Sequence, residues 1–293
     1  MSVAVIINPI SGRHSGAVGA RVDLARRIAA ECSEPIDISV TEARGHARAL
    51  ARAAKASGAS RIVAWGGDGT INEIATELAF DDLPLGIVAG GSGNGLAREL
   101  ALPARPEQAL RKAFTGPVRS IDVGSINNRL FVNLAGIGFD AHVAALFNSP
   151  GNRRRGARAY VMLTARTLFS YQPRRYRITA NGDCMSVRAL LVVIANGTEF
   201  GNRVLIARGA RVDDGALDVV VVEERSRAAT ISRVPWLVTR SIHRVPMWSS
   251  RRAQDVTVES DAPMPFHVDG ESVLEGATTL RARVHPGALR VIA

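Results

Sequence analysis

Ile62-Val63-Ala64-Trp65-Gly66-Gly67-Asp68-Gly69-Thr70-Ile71-Asn72-Glu73 is the most informative run in the chain. It opens apolar, turns through Gly66, Gly67 and Gly69, and continues with Ile71, Ile74, Ala75 and Leu78 at the spacing of one helix face. A strand, a glycine turn and a helix in that order build a phosphate site. Backbone N–H groups at the turn and the helix start point outward, and the helix dipole favours an anion there. Asp68 complicates this picture. A carboxylate beside polyphosphate is repulsive unless a cation lies between them, so Asp68 points to Mg²⁺ or to a role at the reacting group. The plainer alternative is a tight turn that Asp68 caps.

The flanking sequence repeats the pattern. Upstream, Val3–Ile7 reads as a buried strand, followed by the loop Asn8-Pro9-Ile10-Ser11-Gly12-Arg13 and a helix carrying Val18, Val22, Ala25 and Ala29. Ile36–Val40 is a second strand. It ends at Thr41, whose hydroxyl is placed to touch a nucleotide. Downstream, the strand Leu85–Ala89 runs into a second glycine loop, Gly90-Gly91-Ser92-Gly93-Asn94-Gly95. Alternating strands and helices imply a parallel sheet whose ligands bind at the carboxyl ends of the strands. Loops after the first, third and fourth strands then converge on one crevice. The spacing is neither a P-loop nor a dinucleotide fingerprint.

From Pro117 the pattern changes to short alternating or apolar runs separated by turns, which read as an antiparallel sandwich. The runs are Ser120–Val123, Leu130–Ala135, Arg175–Ala180, Val187–Ala195, Leu217–Val222, Val256–Glu259, Pro265–Val268, Leu280–Val284 and Leu289–Ile292. Helical patches interrupt them near residues 156–169 and 228–242. The expected fold is therefore α/β plus all-β. A Rossmann-like α/β domain occupies residues 1–122 and a β-sandwich occupies residues 123–293, with the last strand free to return to the first domain. In the second half, Asp213-Asp214-Gly215-Ala216 is a carboxylate-rich turn with the chemistry of either a β-turn or a hard-cation site. His267-Val268-Asp269-Gly270-Glu271 sets two carboxylates at a strand end, either of which could take a proton from a hydroxyl. Its bland reading is a surface hairpin.

Composition narrows the class. The 293 residues are 46% hydrophobic, enough for real cores, and contain no apolar run of the roughly 18 residues a membrane span needs. Met1 leads directly into a strand, so a cytoplasmic protein is expected. Cys32 and Cys184 lack metal-type spacing. The formal charge of +10 favours an anionic partner, such as a nucleotide or an acidic membrane surface. Only Lys55 and Lys112 among the 37 basic residues are lysines, a bias on which no function is built. Aromatics at 5% are too sparse for stacking on single strands, and no nucleic-acid partner is expected.

Taken together, Asn8-Pro9…Ser11-Gly12, Gly66-Gly67-Asp68-Gly69-Thr70…Asn72-Glu73, Gly91-Ser92-Gly93-Asn94, Asp122-Val123-Gly124, Asn133…Gly136-Ile137-Gly138-Phe139-Asp140, Asp214-Gly215 and Asp269-Gly270-Glu271 resemble the diacylglycerol kinase catalytic family. The family also includes sphingosine and ceramide kinases. The GGDGT run alone is shared with NAD kinases. The resemblance implies an ATP-dependent lipid kinase, peripheral at the inner membrane surface, acting on a diacylglycerol- or sphingoid-type lipid at an anionic surface, and it leaves room for a homodimer. It implies ATP contacts from Asn8, Pro9, Ser11, Gly12, Arg13, Thr41, Gly66, Gly67, Asp68, Gly69, Thr70, Asn72, Ser92, Gly93 and Asn94. It implies Mg²⁺ held by Asp214 with the carbonyls of Arg211 and Ala216. The general base would be Glu271 or Asp269, with Asp68 also at the reacting centre. Two departures stand out. Gly95 occupies a position where many diacylglycerol kinases carry Asp, and Arg13 replaces a lysine, exchanging a point charge for a planar fork. The alternatives are a NAD kinase-like small-molecule kinase and a non-catalytic nucleotide- or lipid-binding regulator.

Overall fold

Strand β1 (Val3–Ile7) is apolar at every position because both of its faces are covered, as expected for a strand inside a parallel sheet. The computed structural model in which this is seen describes residues 2–12, 18–149, 157–199, 204–224, 226 and 248–293. The chain divides into two units, Met1–Asp122 with Gly287–Ala293, and Val123–Pro286.

In the first unit, β1 lies between β2 (Ile36–Val40) and β3 (Arg61–Gly66), and β3 pairs with β4 (Asp81–Ala89), all parallel. The end of the last strand, β13 (Glu271–Ile292), adds parallel to β4 through Leu289 and Val291. In the register Ile7 stands beside Trp65, and Trp65 beside Val88, so the loops leaving β1, β3 and β4 emerge at the same sheet edge. Helices α1 (Val18–Glu31) and α5 (Pro106–Thr115) cover one face through Ile28, Ala29, Leu110 and Phe114, packed on Val5, Val63 and Trp65. Helices α2 (His46–Ala56) and α3 (Asp68–Leu78) pack together, α2 against β1 and α3 against β3 and β4. Ile71, Ile74 and Leu78 of α3 are wholly buried, each worth about 1.5–3 kcal/mol. Glu73 of the glycine motif has a structural task. Its carboxylate accepts the N–H groups of Gly45 and Ala47 (2.8 and 3.1 Å), closing the start of α2 where Gly45 offers no side-chain cap.

In the second unit every described strand pair is antiparallel. After β5 (Val118–Ile126) come β6 (Arg129–Phe131), β7 (Leu134–Gly138), α6 (Phe139–Asn148), α7 (Ala157–Ser170), β8 (Arg174–Ala180), β9 (Asp183–Ala195), β10 (Leu217–Glu223), β11 (Trp248–Ala253) and β12 (Asp255–Val268). Two long strands change partners midway. The first half of β9 pairs with β8 and its second half with β7 and β10. The first half of β12 pairs with β8 and its second half with β7. Strands shared in this way wrap one core, including Phe131, Ile137, Ile194, Val258, Phe266 and Leu280, as in sandwiches whose strands turn corners between layers. The burial along β9 reflects this. It alternates over Asp183–Arg188, then is continuous over Ala189–Ala195, where a second cluster with Leu134, Phe139, Val143 and Leu168 covers the outer face.

The α/β-plus-sandwich reading therefore holds, with local corrections. The runs Val256–Glu259 and Pro265–Val268 belong to one strand, β12, whose register shifts between Glu259 and Met264 and again before Phe266. Leu280–Val284 and Leu289–Ile292 both lie in β13. Leu130–Ala135 is broken into β6 and β7, because the N–H groups of Val132 and Asn133 go to a side chain rather than to a ladder. Arg13, Arg153–Arg155 and the helical patch at residues 228–242 lie outside the described residues.

Candidate functional site

The three loops at the carboxyl edge of the first unit's sheet are fastened to one another. After β1, Asn8 folds its own loop back by accepting the Ile10 N–H on Oδ1 (3.1 Å), while its Nδ2 donates to the Thr70 hydroxyl in α3 (2.8 Å). The Ser11 hydroxyl donates to the Asn8 carbonyl (2.9 Å). Arg21, in the first turns of α1, holds the same loop. It donates to the Asn8 carbonyl (2.8 Å), the Ser11 hydroxyl (3.1 Å) and the Ser11 carbonyl, with its guanidinium carbon 5.7 Å from the centroid of the Trp65 ring. Gly12 and Gly67 are glycines because backbone fills the space a side chain would take. A Cβ on Gly12, whose φ is +89°, would lie 2.5 Å from the Gly90 carbonyl oxygen, and one on Gly67 would lie 3.3 Å from the Gly91 Cα.

Asp68 joins the second and third loops. It is the first residue of α3, and its two carboxylate oxygens accept the N–H groups of Asn94 and Gly95, each at 2.7 Å, where α4 (Gly95–Glu99) begins. Asn94, in the left-handed region at φ 53°, bridges its own loop by accepting the Gly91 N–H (2.9 Å) and donating to the Gly91 carbonyl (2.8 Å). Arg98 donates to the Gly93 carbonyl. The chain therefore uses Gly95 as a backbone donor to Asp68 where a carboxylate is common in the resembling family. The expected loop residues Asn8, Pro9, Ser11, Gly12, Gly66, Gly67, Asp68, Gly69, Thr70, Ser92, Gly93 and Asn94 are brought to one edge. Asn72 is buried on α3, and Thr41 is buried at the end of β2 with its N–H on the Ile7 carbonyl (2.9 Å). The N–H groups of the first turn of α3 have no partner within the helix, and open space lies above Gly69. These features are what a phosphate requires.

In the second unit, Asp269 and Gly270 form the two-residue turn between β12 and β13, both with positive φ (46° and 86°), and Val268 faces Glu271 across it. The two carboxylates therefore do not share a strand face; the turn separates them. Asp269 points back into the fold. Its carboxylate accepts the N–H groups of Val132 (2.8 Å), Asn133 (2.9 Å) and Leu134 (2.9 Å), and its own N–H donates to the Leu134 carbonyl (2.9 Å). Asn133 extends the network by donating to the Glu199 carbonyl (2.7 Å), and the buried Asn196 donates to the Val132 carbonyl (2.9 Å). Beneath the turn, His267 Nε2 meets Asp140 Oδ2 at 3.0 Å, both residues buried. Burial pushes the hydroxyls of Tyr171 and Tyr176 above the ordinary phenol range, so both are neutral phenols. No pattern in the sequence marks Arg21, Asn196, His267 or the Asp140 pairing as part of these networks.

Around Asp214, expected with the Arg211 and Ala216 carbonyls to hold magnesium, the side chains form surface ion pairs. Asp214 pairs with Arg252 and accepts the Ala216 N–H (3.2 Å), and the Arg211 side chain bonds Asp213 (3.3 Å). Among the described residues no three acidic, His or Cys side chains cluster to hold a metal.

Comparison with known proteins gives this geometry its class. Residues 2–126 match the diacylglycerol kinase catalytic domain, and residues 133–293 match the YegS C-terminal NAD kinase beta sandwich-like domain. The chain is 32% identical over 263 residues to a Chromohalobacter salexigens protein named "Probable lipid kinase YegS-like", covering 88% of this chain and 84% of the relative. It is 30% identical over 302 residues to a Mycobacterium tuberculosis "Diacylglycerol kinase", covering 99% and 94%. A solved diacylglycerol kinase from Bacillus anthracis shares the fold, with a TM-score of 0.75 at 22% identity, covering 99% of this chain and 96% of that one. Both halves of the molecule thus fall within one class of kinases. The chain belongs to the diacylglycerol kinase catalytic family.

Proposed function

We propose that the protein transfers the terminal phosphoryl group of ATP, taken up with Mg²⁺ as the substrate complex, to the hydroxyl of a diacylglycerol- or sphingoid-type lipid. The observation carrying this is the mutual fastening of the loops after β1, β3 and β4 around the start of α3, where a helix N-terminus favours phosphate. Phosphoryl transfer asks for alignment and charge neutralisation more than covalent chemistry, and a rigid cradle of backbone donors supplies both. Glu271 is the general base. Its carboxylate removes the proton of the lipid hydroxyl as that oxygen attacks the γ-phosphorus, and the bond to the β–γ bridging oxygen breaks to release ADP. Asp269 is not assigned the base role, because three backbone N–H groups occupy its carboxylate. No step runs through Asp214.

A lipid acceptor brings the reaction to a bilayer surface. A formal charge of +10 suits an anionic, cytoplasm-facing leaflet, and no helix among the described residues is long and apolar enough to cross a membrane. The second reading, a NAD kinase-like enzyme, is favoured by the sandwich-domain match alone.

Radiolabelled ATP with diacylglycerol, sphingosine, ceramide and NAD⁺ in mixed micelles separates the readings. Label in a lipid is expected. Label entering only NAD⁺ would overturn the proposal, and ATP binding without any transfer would make the protein a regulator. With the accepting lipid in hand, Glu271→Gln should lower kcat by about 10²- to 10⁴-fold with ATP affinity unchanged. An unchanged kcat would remove Glu271 from the base role.

A further inference from the structure

A buried acid–imidazole pair lies directly under the turn that presents Glu271. The Gly270 N–H donates to His267 Nδ1 at 3.3 Å. A ring nitrogen that accepts carries no proton, so in the neutral ring the proton sits on Nε2, which faces Asp140 Oδ2 at 3.0 Å and donates to it. Asp140 is the second residue of α6, and its other oxygen, Oδ1, accepts the Ala141 N–H (2.9 Å). His267 is 3% exposed and Asp140 6%. The space for the pair is made by β7. A Cβ on Gly136 would lie 1.9 Å from Asp140 Oδ2 and 2.3 Å from His267 Nε2, and Gly138 turns the chain into α6 at φ +94°. Close by, the Tyr176 hydroxyl lies 3.0 Å from where a Gly138 Cβ would stand. Burying a carboxylate against an imidazole costs free energy that an apolar pair of the same volume would not. Packing alone does not explain the arrangement.

We infer that His267, fixed in one tautomer by Asp140, is a positioning residue for Glu271: it anchors the Gly270 peptide and so sets where the Glu271 carboxylate stands. This rests on Glu271 being the base. The hairpin turn is held from both sides, Asp269 by the N–H groups of residues 132–134 and Gly270 by His267. A two-residue turn held at only one of its peptides keeps freedom to rock about the other. A shift of about 1 Å in a catalytic group costs on the order of a hundredfold in rate.

Two isosteres separate the two bonds of the ring. In His267→Asn the amide oxygen reproduces the Nδ1 acceptor but does not reach Asp140. In His267→Gln the amide reaches Asp140 but removes the Nδ1 acceptor of the Gly270 N–H. With the accepting lipid from the panel, His267→Gln should lower kcat at least tenfold with the KM for ATP unchanged, and His267→Asn should recover most of that loss. Amide exchange at Gly270 should quicken in His267→Gln and not in His267→Asn. Glu271→Gln run alongside distinguishes the failures. If it keeps full rate, the base assignment falls and this inference with it. If it is inactive while His267→Gln runs within twofold of the parent, only the positioning role is overturned. Equal losses in the two His267 variants, or losses that vanish once kcat is corrected for folded fraction, overturn it as well.

Discussion

Asp269→Ala removes the one acceptor shared by three backbone N–H groups, those of Val132, Asn133 and Leu134. A hydrogen bond to a charged acceptor contributes about 1.5–3 kcal/mol, and donors stranded by its loss cost about 1–3 kcal/mol each. The three share one carboxylate that is only partly buried, so their sum must be discounted. Alanine also resists the left-handed conformation at φ 46°, at about 1–2 kcal/mol. Together these give a loss of about 3–5 kcal/mol. Asp269→Asn should cost far less, about 1–2 kcal/mol. Its amide oxygen can keep the Oδ1 bonds to Asn133 and Leu134, and asparagine tolerates positive φ; only the Val132 N–H then faces a donor. For a unit of this size 1 kcal/mol moves the melting midpoint about 2–4 °C, so thermal unfolding followed by circular dichroism should place the alanine variant roughly 10 °C below the parent and the asparagine variant between them. If Asp269→Ala melts with the parent yet loses turnover, the carboxylate serves the chemistry and the base assignment must be reopened.

Other perturbations address the remaining sites. Asp68→Ala should lose turnover by at least about a hundredfold while keeping the folded circular-dichroism spectrum, since the two N–H groups it strands lie only at the start of the short helix α4; an unfolded spectrum would show that the loop anchor is needed for the fold itself. Gly12→Ala should weaken ATP binding, measured by calorimetry, by about tenfold or more, because its Cβ must push the Gly90 carbonyl away; unchanged affinity would mean the loops are not held as a unit. Asp218 tests the second core. Burial raises its pKa above the ordinary value, partly opposed by the Ser250 hydroxyl that donates to it at 2.9 Å. The folded state therefore holds the proton more tightly than the unfolded chain, and the stability this group contributes falls as pH rises above its unfolded pKa of about 3.9. Asp218→Asn should thus melt higher than the parent at pH 7, with the gap closing toward pH 4; a gap constant with pH would show that charge burial is not the cause.

The sheet and the three loops are legible in the sequence because their signals are local. An all-apolar Val3–Ile7 suits a strand covered on both faces, and glycines clustered after β3 and β4 suit turns where backbone meets backbone. What sequence reading cannot reach is long-range. Asp68 meets Asn94 across 26 positions and His267 meets Asp140 across 127, and no periodicity records such a partner. Asp-Gly at residues 269–270 reads, taken alone, as a surface hairpin first and as a general base second, and neither reading foretells the acceptor role of Asp269. Helix α6 is hidden because Phe139–Asn148 is largely apolar around its circumference and follows directly on a strand, which obscures the helical period. Strand β11, Trp248–Ala253, carries two serines and two arginines and lies at the end of the sheet order, where polar sequence is tolerated.

The return of Gly287–Ala293 to the first unit has a consequence for biogenesis. Leu289 and Val291 supply the outer neighbour of β4, the Phe80 N–H reaches the Ala288 carbonyl (2.6 Å), and the Ala293 N–H reaches the Pro117 carbonyl (3.2 Å). During synthesis the amino-terminal segment leaves the ribosome long before these residues are made. Until residues 287–293 are made and free to pair, β4 is an unprotected sheet edge, open to pairing with other chains. Residues 1–122 are therefore the first made, yet they wait for residues 287–293 to be completed. A nascent-chain pulse-proteolysis series should find the amino-terminal unit acquiring full resistance only once residues 287–293 can pair with β4; full resistance in chains lacking them would refute this.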